Sequence, residues 1–336
     1  MKDIELAALI EQYRLDGQWK VVPGDSGMNN TTRMIKAGDE RYVLRVYNNH
    51  RDRNIVALEH QVLFALDRQQ PGFSVPVPVE NRSRDTVSVL QDGALAALYR
   101  YIPGERPTVQ HKEHIRSLGE SAARVSKALR GMTISHKPIY DPYYLLEETY
   151  SSLIRHELPV ILQSSEQFIA RADKAAAIVN QVKDLSRRLP AVKELPHQWI
   201  HGDLNFSNTV ADGETIIGVL DFEFCTVDVR AMELVVAQID FFKGEESEIW
   251  ERLRLFCEGY GSIDKLTPAE VEVMPLLIKL RMLDVFLHFA GRYKEGLDDA
   301  ALVAGFIDQT YQICEWVDRN EEQLLTLFRH ELLQEV

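Results

Sequence analysis

Three oxygen-bearing side chains stand in one polar segment of the sequence, residues 198–224. Asp203 and Asn208 are five positions apart in a turn-rich stretch, and Asp221 directly follows the apolar stretch 216–220. One carboxylate can orient a hydroxyl group and take its proton, while an Asn oxygen and a second carboxylate can bind Mg²⁺, which prefers oxygen ligands. Phosphoryl transfer requires these parts: a metal ion, a positioned nucleophile and neutralisation of charge. The segment therefore favours phosphoryl transfer to a hydroxyl group.

A second polar group lies on the mostly apolar stretch 276–293, which predicts a helix. Arg281, Asp284, His288 and Arg292 follow one another at intervals of three, four and four residues. At ~100° per residue they form one narrow stripe. The stripe fits a cleft that binds a zwitterion, with Asp284 for its ammonium group and Arg281 or Arg292 for its carboxylate. It fits equally well a partly solvated helix face with internal ion pairs.

The first hundred residues must form a different kind of structure from the remainder. After a short N-terminal helix, short apolar runs alternate with turns, which predicts a sheet of about five strands with one inserted helix. That helix, residues 54–66, places Ile55, Leu58, Val62 and Ala65 on one face with Glu59 beside it. The predicted strands are 19–22, 31–35, 42–47, 86–90 and 94–101.

Residues 102–107 interrupt the strand pattern with two prolines and a glycine, and the rest of the chain is mainly helical. Thr267 can cap a helix that has Pro268 in its first turn and Glu270 in position for a capping box. We therefore predict a β-rich domain 1–101, a hinge 102–107 and a helical domain 108–336, with the active site in the cleft between them. The predicted helices are 110–130, 143–158, 164–189, 230–243, 246–261, 268–295 and 299–333.

The order His-x-Asp-x4-Asn followed by Leu-Asp-Phe resembles the catalytic and metal loops of the protein-kinase-like fold. Within that fold, His201-Gly-Asp203 and Asp221-Phe-Glu223 look like the aminoglycoside phosphotransferase and choline kinase superfamily, which includes type II homoserine kinases and methylthioribose kinases. The resemblance extends from about residue 20 to residue 295. It implies a bilobal α+β fold, with an N-terminal antiparallel β lobe that contains one helix and a mainly helical C-terminal lobe.

The resemblance also implies roles for the residues of the polar segment. Asp203 would be the catalytic base or hydroxyl-orienting group, and Asn208 and Asp221 would hold Mg²⁺. His201 would brace the loop around Asp203. For Glu223, a water-mediated contact with the metal and a merely polar strand end are both open.

The β lobe would then hold the nucleotide. The loop that contains Gly27, Asn30 and Thr31 is similar to the family's Gly-x-x-Asn phosphate loop, although an ordinary hairpin turn would look the same. Arg45 stands where the family usually has a phosphate-binding lysine, and arginine is a good partner for phosphate. Glu59 matches the acid that pairs with this cation, the alternative being an ordinary glutamate on a helix surface.

Two further positions follow from the resemblance. Residues 99–104 correspond to the hinge, where backbone groups near Arg100 and Ile102 could bond an adenine edge. A structural role of the Pro-Gly pair explains this stretch equally well. Glu233 follows the metal loop where relatives carry an aspartate, and it would support that loop.

Composition and charge limit the classes of partner. The chain has 336 residues, of which 45% are hydrophobic, and a net charge of −13. Residues 1–105 carry 13 basic and 14 acidic residues, so −12 of that charge lies in residues 106–336. This balance disfavours nucleic acid and permits a cationic small substrate, although it also serves solubility. The apolar runs are too short for a membrane span, and three widely spaced cysteines with no signal peptide predict a reduced, cytoplasmic protein.

The sequence thus predicts a kinase that uses ATP and Mg²⁺ to phosphorylate a hydroxyl group of a small metabolite. Homoserine or a related amino alcohol is the first choice of acceptor. Choline, ethanolamine and aminoglycosides are the alternatives within the superfamily. An alternative of another class is a catalytically silent nucleotide-binding protein with the same fold.

Overall fold

The computed structural model describes residues 3–23, 30–47 and 51–334. Within these residues, nine strands pair into three antiparallel sheets. The strands are β1 (Trp19–Val22), β2 (Asn30–Ala37), β3 (Glu40–Tyr47), β4 (Ser88–Val89), β5 (Leu95–Arg100), β6 (His197–Ile200), β7 (Thr209–Asp212), β8 (Thr215–Val219) and β9 (Thr226–Val229).

Helices make up most of the remaining regular structure. The α-helices are α1 (Asp3–Ile10), α2 (Arg53–Gln69), α3 (Lys112–Leu129), α4 (Leu146–Thr149), α5 (Leu158–Ile161), α6 (Glu166–Ile169), α7 (Ala172–Val192), α8 (Arg230–Gln238), α9 (Glu246–Gly261), α10 (Pro268–Lys294) and α11 (Ala300–Leu332). Short 3₁₀ turns lie at Tyr143–Leu145, Phe206–Asn208, Phe222–Phe224 and Ile239–Phe241, and a π turn lies at Leu153–Glu157.

The chain divides into two compact units. The first comprises Met1–Arg106, Met132–Ile139 and Asn208–Phe224, and the second comprises Pro107–Gly131, Tyr140–Ser207 and Cys225–Val336. The sequence analysis placed the two internal segments of the first unit in the helical domain. The predicted domain boundaries at 101 and 107 stay a prediction.

A five-stranded antiparallel sheet forms the centre of the first unit, in the order β1-β2-β3-β5-β4. Ile35, Leu44 and Leu98 are fully buried on its inner face, where they pack with Leu9 and Ile10 of α1. Burial of such apolar side chains is the main stabilising contribution to a core. The predicted sheet of five strands with one inserted helix is confirmed, although β4 is only two residues long.

Helix α2 carries Glu59, the acid that contacts Arg45 of β3. It begins after Asp52, whose side chain accepts a hydrogen bond from the Asn54 N–H at 2.8 Å. The buried face of α2 differs slightly from the predicted face, because Ile55 and Ala65 are only half-buried. The side chains that α2 buries are Val56, Leu58, Glu59, His60, Val62, Leu63 and Leu66.

The second unit consists mainly of long helices, with α10 packed against α8 and α11, and α3 packed against α9. The start of α10 is as predicted, because the Thr267 side chain accepts from the Glu270 N–H while the Glu270 side chain accepts from Thr267. The fold is thus α+β, as predicted. Among the described residues, no helix is both long and apolar enough to cross a membrane.

Two predicted helices are irregular. Residues 143–158 are helical except at Tyr150, but the segment starts with a 3₁₀ turn and contains the π turn Leu153–Glu157 just before Pro159, which lacks the N–H that a regular helix requires. The predicted helix 164–189 is interrupted at Arg171, whose φ of −115° is not helical and whose side chain pairs with Asp308 at 2.8 Å.

Candidate active site

In the second unit, Asp203 lies in the loop that follows β6. Gly202, just before it, has φ +81°, a conformation that glycine adopts without steric cost. The Asp203 N–H donates to Nδ1 of His201 at 3.2 Å, and His201 is fully buried. His201 therefore braces this loop, as predicted.

Glu233 of α8 binds the backbone of the same loop. Its Oε2 accepts a hydrogen bond from the His201 N–H. Burial raises the pKa of this carboxyl to about 8, although the backbone donors of the loop act in the opposite direction. Glu233 was predicted to support the metal loop that precedes it, but this contact shows that it supports the Asp203 loop instead.

Arg281 of α10 binds the side chain of Asp203 directly. Its Nη2 lies 2.9 Å from Asp203 Oδ1. Its Nη1 donates to the Tyr143 hydroxyl at 2.8 Å and lies 3.4 Å from Asp284 Oδ2. The Tyr143 hydroxyl in turn donates to the carbonyl of Gly202 at 2.7 Å. The carboxylate and the backbone of the Asp203 loop are therefore both tied to one guanidinium group.

Asp284 completes this cluster. Its Oδ1 accepts from the Tyr150 hydroxyl at 3.0 Å. Burial raises the pKa of Asp284, and the Arg281 guanidinium opposes that shift. Burial also raises the pKa of Tyr150, so this phenol is neutral at ordinary pH. The carboxyl groups of Asp203 and Asp284 therefore share one guanidinium.

The predicted polar stripe of α10 does not act as one group. Arg281 and Asp284 share the cluster, whereas Arg292 pairs with Asp298, with Nε at 2.5 Å from Oδ2 and Nη2 at 3.2 Å from Oδ1. His288 is exposed, with its ring 5.2 Å from that of Phe289. Both arginines that a substrate carboxylate would use are thus already paired with acids of the protein. The contact of these four residues with an acceptor stays a prediction.

In the first unit, three carboxylates surround Arg45 of β3. The Nη1 atom of Arg45 lies 3.2 Å from Glu59 Oε1 and 3.1 Å from Asp221 Oδ1. The same nitrogen is 3.8 Å from Glu223 Oε2. Burial alone would lower the pKa of Arg45, but Glu59 and Asp221 together raise it well above its ordinary value. Arg45 is therefore a permanent cation, and it is outnumbered by acids.

Glu59 is held in place by a buried network and is only 2% exposed, so it is not an ordinary surface glutamate. Its Oε2 accepts from the Tyr47 hydroxyl at 2.9 Å. Tyr99, which bonds the Tyr47 hydroxyl, also contacts Nε2 of His60 at 2.9 Å. Burial lowers the pKa of His60 to about 3, so this ring stays neutral.

Asn208 and Asp221 stand at the open end of the hairpin formed by β7 and β8. Thr209 lies opposite Val219, and the Leu220 N–H donates to the Asn208 carbonyl at 2.8 Å. Asp221 has φ +64°, which is uncommon for a residue other than glycine. Such conformations cost about 1–3 kcal/mol and concentrate at functional sites.

Asn30 connects the start of β2 to the segment after Asp221. Its Nδ2 donates to Glu223 Oε2 at 3.1 Å. Burial raises the pKa of Glu223, and Asp221 adds to that shift. Thr31 lies beside Asn30, opposite Val46 in the sheet. Gly27 falls outside the described residues.

The donor set suits Mg²⁺ better than a metal that needs a closed protein cage. Among the described residues, no group of three or more His, Cys, Asp or Glu is arranged to hold a metal ion. Mg²⁺ typically takes one or two protein oxygens and completes its shell with water and phosphate. The side-chain oxygens of Asn208 and Asp221 fit this requirement.

The hinge residues Arg100 and Ile102 line a cavity of about 530 Å³ together with Phe73, Val75 and Ile217. The Arg100 N–H donates to the Val77 carbonyl at 2.9 Å. At Arg100, therefore, the backbone group that could contact an adenine edge is the carbonyl.

Several residues of both clusters carry no sequence signal. Tyr143 and Tyr150 lie in a segment predicted to be one regular helix, and Tyr47 and Tyr99 look like ordinary strand residues. Their hydroxyl partners are 12 to 138 positions away in sequence. Only the tertiary fold shows these partners.

Comparison with known proteins identifies similar sequences. The sequence model described as the phosphotransferase enzyme family (APH) matches residues 20–266. A homoserine kinase of Zymomonas mobilis subsp. mobilis is 24% identical over 310 residues, which are 90% of this chain and 91% of the relative. A homoserine kinase of Rhizobium meliloti is 25% identical over 267 residues, or 78% of this chain and 76% of the relative.

Solved structures share the fold over nearly the entire chain. A microcompartment-associated aminopropanol kinase has a TM-score of 0.72 at 17% identity, covering 96% of this chain and 98% of that one. An amicoumacin kinase in complex with AMP-PNP and Ca²⁺ has a TM-score of 0.68 at 16% identity, covering 92% and 93%. At these identities the likeness establishes the fold of this chain, which is kinase-like as predicted.

Proposed function

The chain belongs to the phosphotransferase enzyme family, and from this premise we propose that it transfers a phosphoryl group from ATP, with Mg²⁺, to a hydroxyl group of a small amino alcohol. Membership of an enzyme family favours the enzyme over the catalytically silent alternative. The observation that carries the choice of acceptor is the acidic cluster around Asp203, where two carboxylates face one guanidinium.

Asp203 is the residue that acts on the acceptor. Its carboxylate accepts a hydrogen bond from the reacting hydroxyl and orients the oxygen for in-line attack. Because the transition state of phosphoryl transfer is loose, correct orientation contributes more than strong basicity. A rigid Asp203 loop supports this role, since His201 and Glu233 fix its backbone.

Arg45, Asn208 and Asp221 serve the nucleotide in this proposal. When bound, Mg²⁺ would neutralise negative charge that develops during transfer. Asn208 and Asp221 would hold the ion through their side-chain oxygens, and Arg45 would face the phosphates. Asn30 and Thr31 would also serve the nucleotide, and Glu59 would hold Arg45 through their 3.2 Å contact.

Asp284 and Tyr150 favour an ammonium group on the acceptor. The Asp284 carboxylate attracts a cation, and Tyr150 binds its Oδ1 while Arg281 meets its Oδ2. A neutral sugar would gain nothing from this charge. The relatives named homoserine kinase make homoserine the first acceptor to test, and the structural neighbour named aminopropanol kinase makes an aminopropanol the second.

A panel of acceptors tests this proposal. Acceptor-dependent release of ADP is measured with homoserine, 1-amino-2-propanol, choline, an aminoglycoside and glycerol at equal concentrations. We expect turnover with at least one small amino alcohol and none with glycerol. Asp284→Asn should raise the KM for that acceptor about tenfold, since a charge-assisted contact of about 1.5–3 kcal/mol is weakened, with little change in the KM for ATP.

The panel can also contradict the proposal. Turnover of glycerol equal to that of the amino alcohols, unaffected by Asp284→Asn, would exclude recognition of an ammonium group. Turnover only with the aminoglycoside would assign the chain to the alternative acceptor class.

A further inference from the structure

We propose that Arg281 is a positioning residue for Asp203, rather than a binding residue for the acceptor. The inference rests on the proposed function of Asp203 as the hydroxyl-orienting group. It adds to that function the residue that sets the direction of the carboxylate. Arg281 lies 78 positions after Asp203 in sequence, so only the fold brings them together.

The contact is direct and comes from a rigid element. Arg281 Nη2 donates to Asp203 Oδ1 at 2.9 Å, and the Arg281 side chain is 16% exposed. Helix α10 is 27 residues long, and its residues Leu280, Met282 and Leu283 are fully buried. A guanidinium on such a helix can hold a loop carboxylate in one orientation.

Tyr143 fixes Arg281 to the same loop a second time. Its hydroxyl accepts from Arg281 Nη1 at 2.8 Å and donates to the Gly202 carbonyl at 2.7 Å. Its ring lies 5.3 Å from the guanidinium carbon, a favourable cation–π distance. The Tyr143 N–H donates to the buried Asp228 at 2.6 Å, so the tyrosine is itself anchored.

The other contacts of Arg281 argue against its use by a substrate carboxylate. Its guanidinium already meets Asp203, Asp284 and the Tyr143 hydroxyl. A carboxylate of the acceptor would have to displace one of these partners beside two existing negative charges. Arg281 therefore acts on the chemical step through Asp203.

The two roles predict different kinetic constants. Loss of a positioning residue lowers kcat, because the carboxylate no longer holds the hydroxyl in line, whereas loss of a binding residue raises the KM for the acceptor.

Four variants test the inference, with thermal unfolding as the check of folding. We expect Arg281→Met to lower kcat about 100-fold, with the acceptor KM within about threefold of the parent. Arg281→Lys should recover about tenfold of that loss, because it restores the charge but not the fork. Tyr143→Phe should lower kcat about three- to tenfold. The matched control is Lys279→Met, which removes a cation of the same helix that pairs with Asp318 at 2.6 Å, and its kcat should stay near that of the parent.

Three results would overturn the inference. The first is a parental kcat in Arg281→Met, with or without a raised acceptor KM. The second is a parental kcat in Tyr143→Phe. The third concerns the double variant of Arg281→Met with Asp203→Asn. If its fold-loss in kcat equals the product of the two single fold-losses, the two residues act independently, whereas the inference requires a smaller loss than that product. Full activity of Asp203→Asn alone would instead overturn the proposed function, so the two failures are distinguishable.

Discussion

Arg45 uses one nitrogen atom, Nη1, for its contacts with Glu59, Asp221 and Glu223. It therefore serves as a point charge, although arginine offers a fork of five donors. This geometry explains how arginine can stand at a position where lysine is usual in the superfamily that the sequence resembles. A lysine ammonium group could meet the same acids with its single nitrogen.

Substitutions of Arg45 follow from this geometry. Arg45→Lys should retain most of the kcat and of the ATP affinity. Arg45→Met leaves two buried carboxylates and the partly exposed Asp221 without their cation, so it should lower the free energy of unfolding by about 3–5 kcal/mol and raise the KM for ATP. Urea denaturation and steady-state kinetics measure both effects. Equal kinetics of Arg45→Met and the parent would show that Arg45 is only a structural cation.

The segment after β5, predicted as a hinge, packs tightly against β7. Glu105 and Ala211 exchange two backbone hydrogen bonds of 2.8 Å, directly after Gly104. A Cβ at Gly104 would lie 2.5 Å from the Ala211 carbonyl oxygen and 2.5 Å from a methyl group of Val210. The hinge therefore depends on a residue without a side chain at this position.

Gly104→Ala should disturb both the hinge and the nucleotide site in the proposed function. We expect a loss of about 2–3 kcal/mol in the free energy of unfolding and a severalfold rise in the KM for ATP. The control is Gly213→Ala in the turn between β7 and β8, where φ is +55° but a Cβ would meet nothing within 4 Å. It should cost only about 1 kcal/mol, the strain of a left-handed conformation. Equal losses for the two variants would mean that the close contact at Gly104 is unimportant.

Sequence periodicity located the long elements and failed where local chemistry and tertiary contacts compete. Helix α10 was predicted because Thr267 and Glu270 form a capping box that depends on neighbours in sequence. The segment 143–158 was predicted as one regular helix, yet it is interrupted at Tyr150 and contains a π turn just before Pro159.

The candidate site shows the same limit. Asp203, Asn208 and Asp221 could be singled out because their spacing is local. The stripe on α10 was singled out by helical geometry, but the pairing of Arg281 with Asp203 and of Arg292 with Asp298 depends on what packs opposite. Helical spacing alone could not show that Arg281 pairs with Asp203 whereas Arg292 pairs with Asp298.

Burial of acids makes the stability of the protein depend on pH. Burial raises the pKa of Glu233 to about 8 from an ordinary value of 4.5. Between these values the unfolded chain has released the proton that the folded protein retains. The contribution of this carboxyl to stability is therefore complete at low pH and is lost as the pH rises towards 8.

Glu233→Gln should make the dependence shallower. From about pH 5 to about pH 8, we expect the free energy of unfolding of the parent to fall by at least about 1 kcal/mol more than that of the variant. The exposed Glu322→Gln on α11 serves as the control and should follow the parent. The measurement is urea denaturation at several pH values, and parallel curves for Glu233→Gln and the parent would contradict the assignment.

The most direct test of the proposed function is to observe the transferred phosphoryl group itself. ³¹P nuclear magnetic resonance follows ATP, Mg²⁺ and the amino alcohol selected by the acceptor panel, with the parent protein and with Asp203→Asn. The account predicts that the parent converts the γ-phosphate signal into that of a phosphomonoester of the acceptor, whereas folded Asp203→Asn forms it at least about 100-fold more slowly. Release of inorganic phosphate without a phosphomonoester, or formation of the ester at the parental rate by Asp203→Asn, would contradict it.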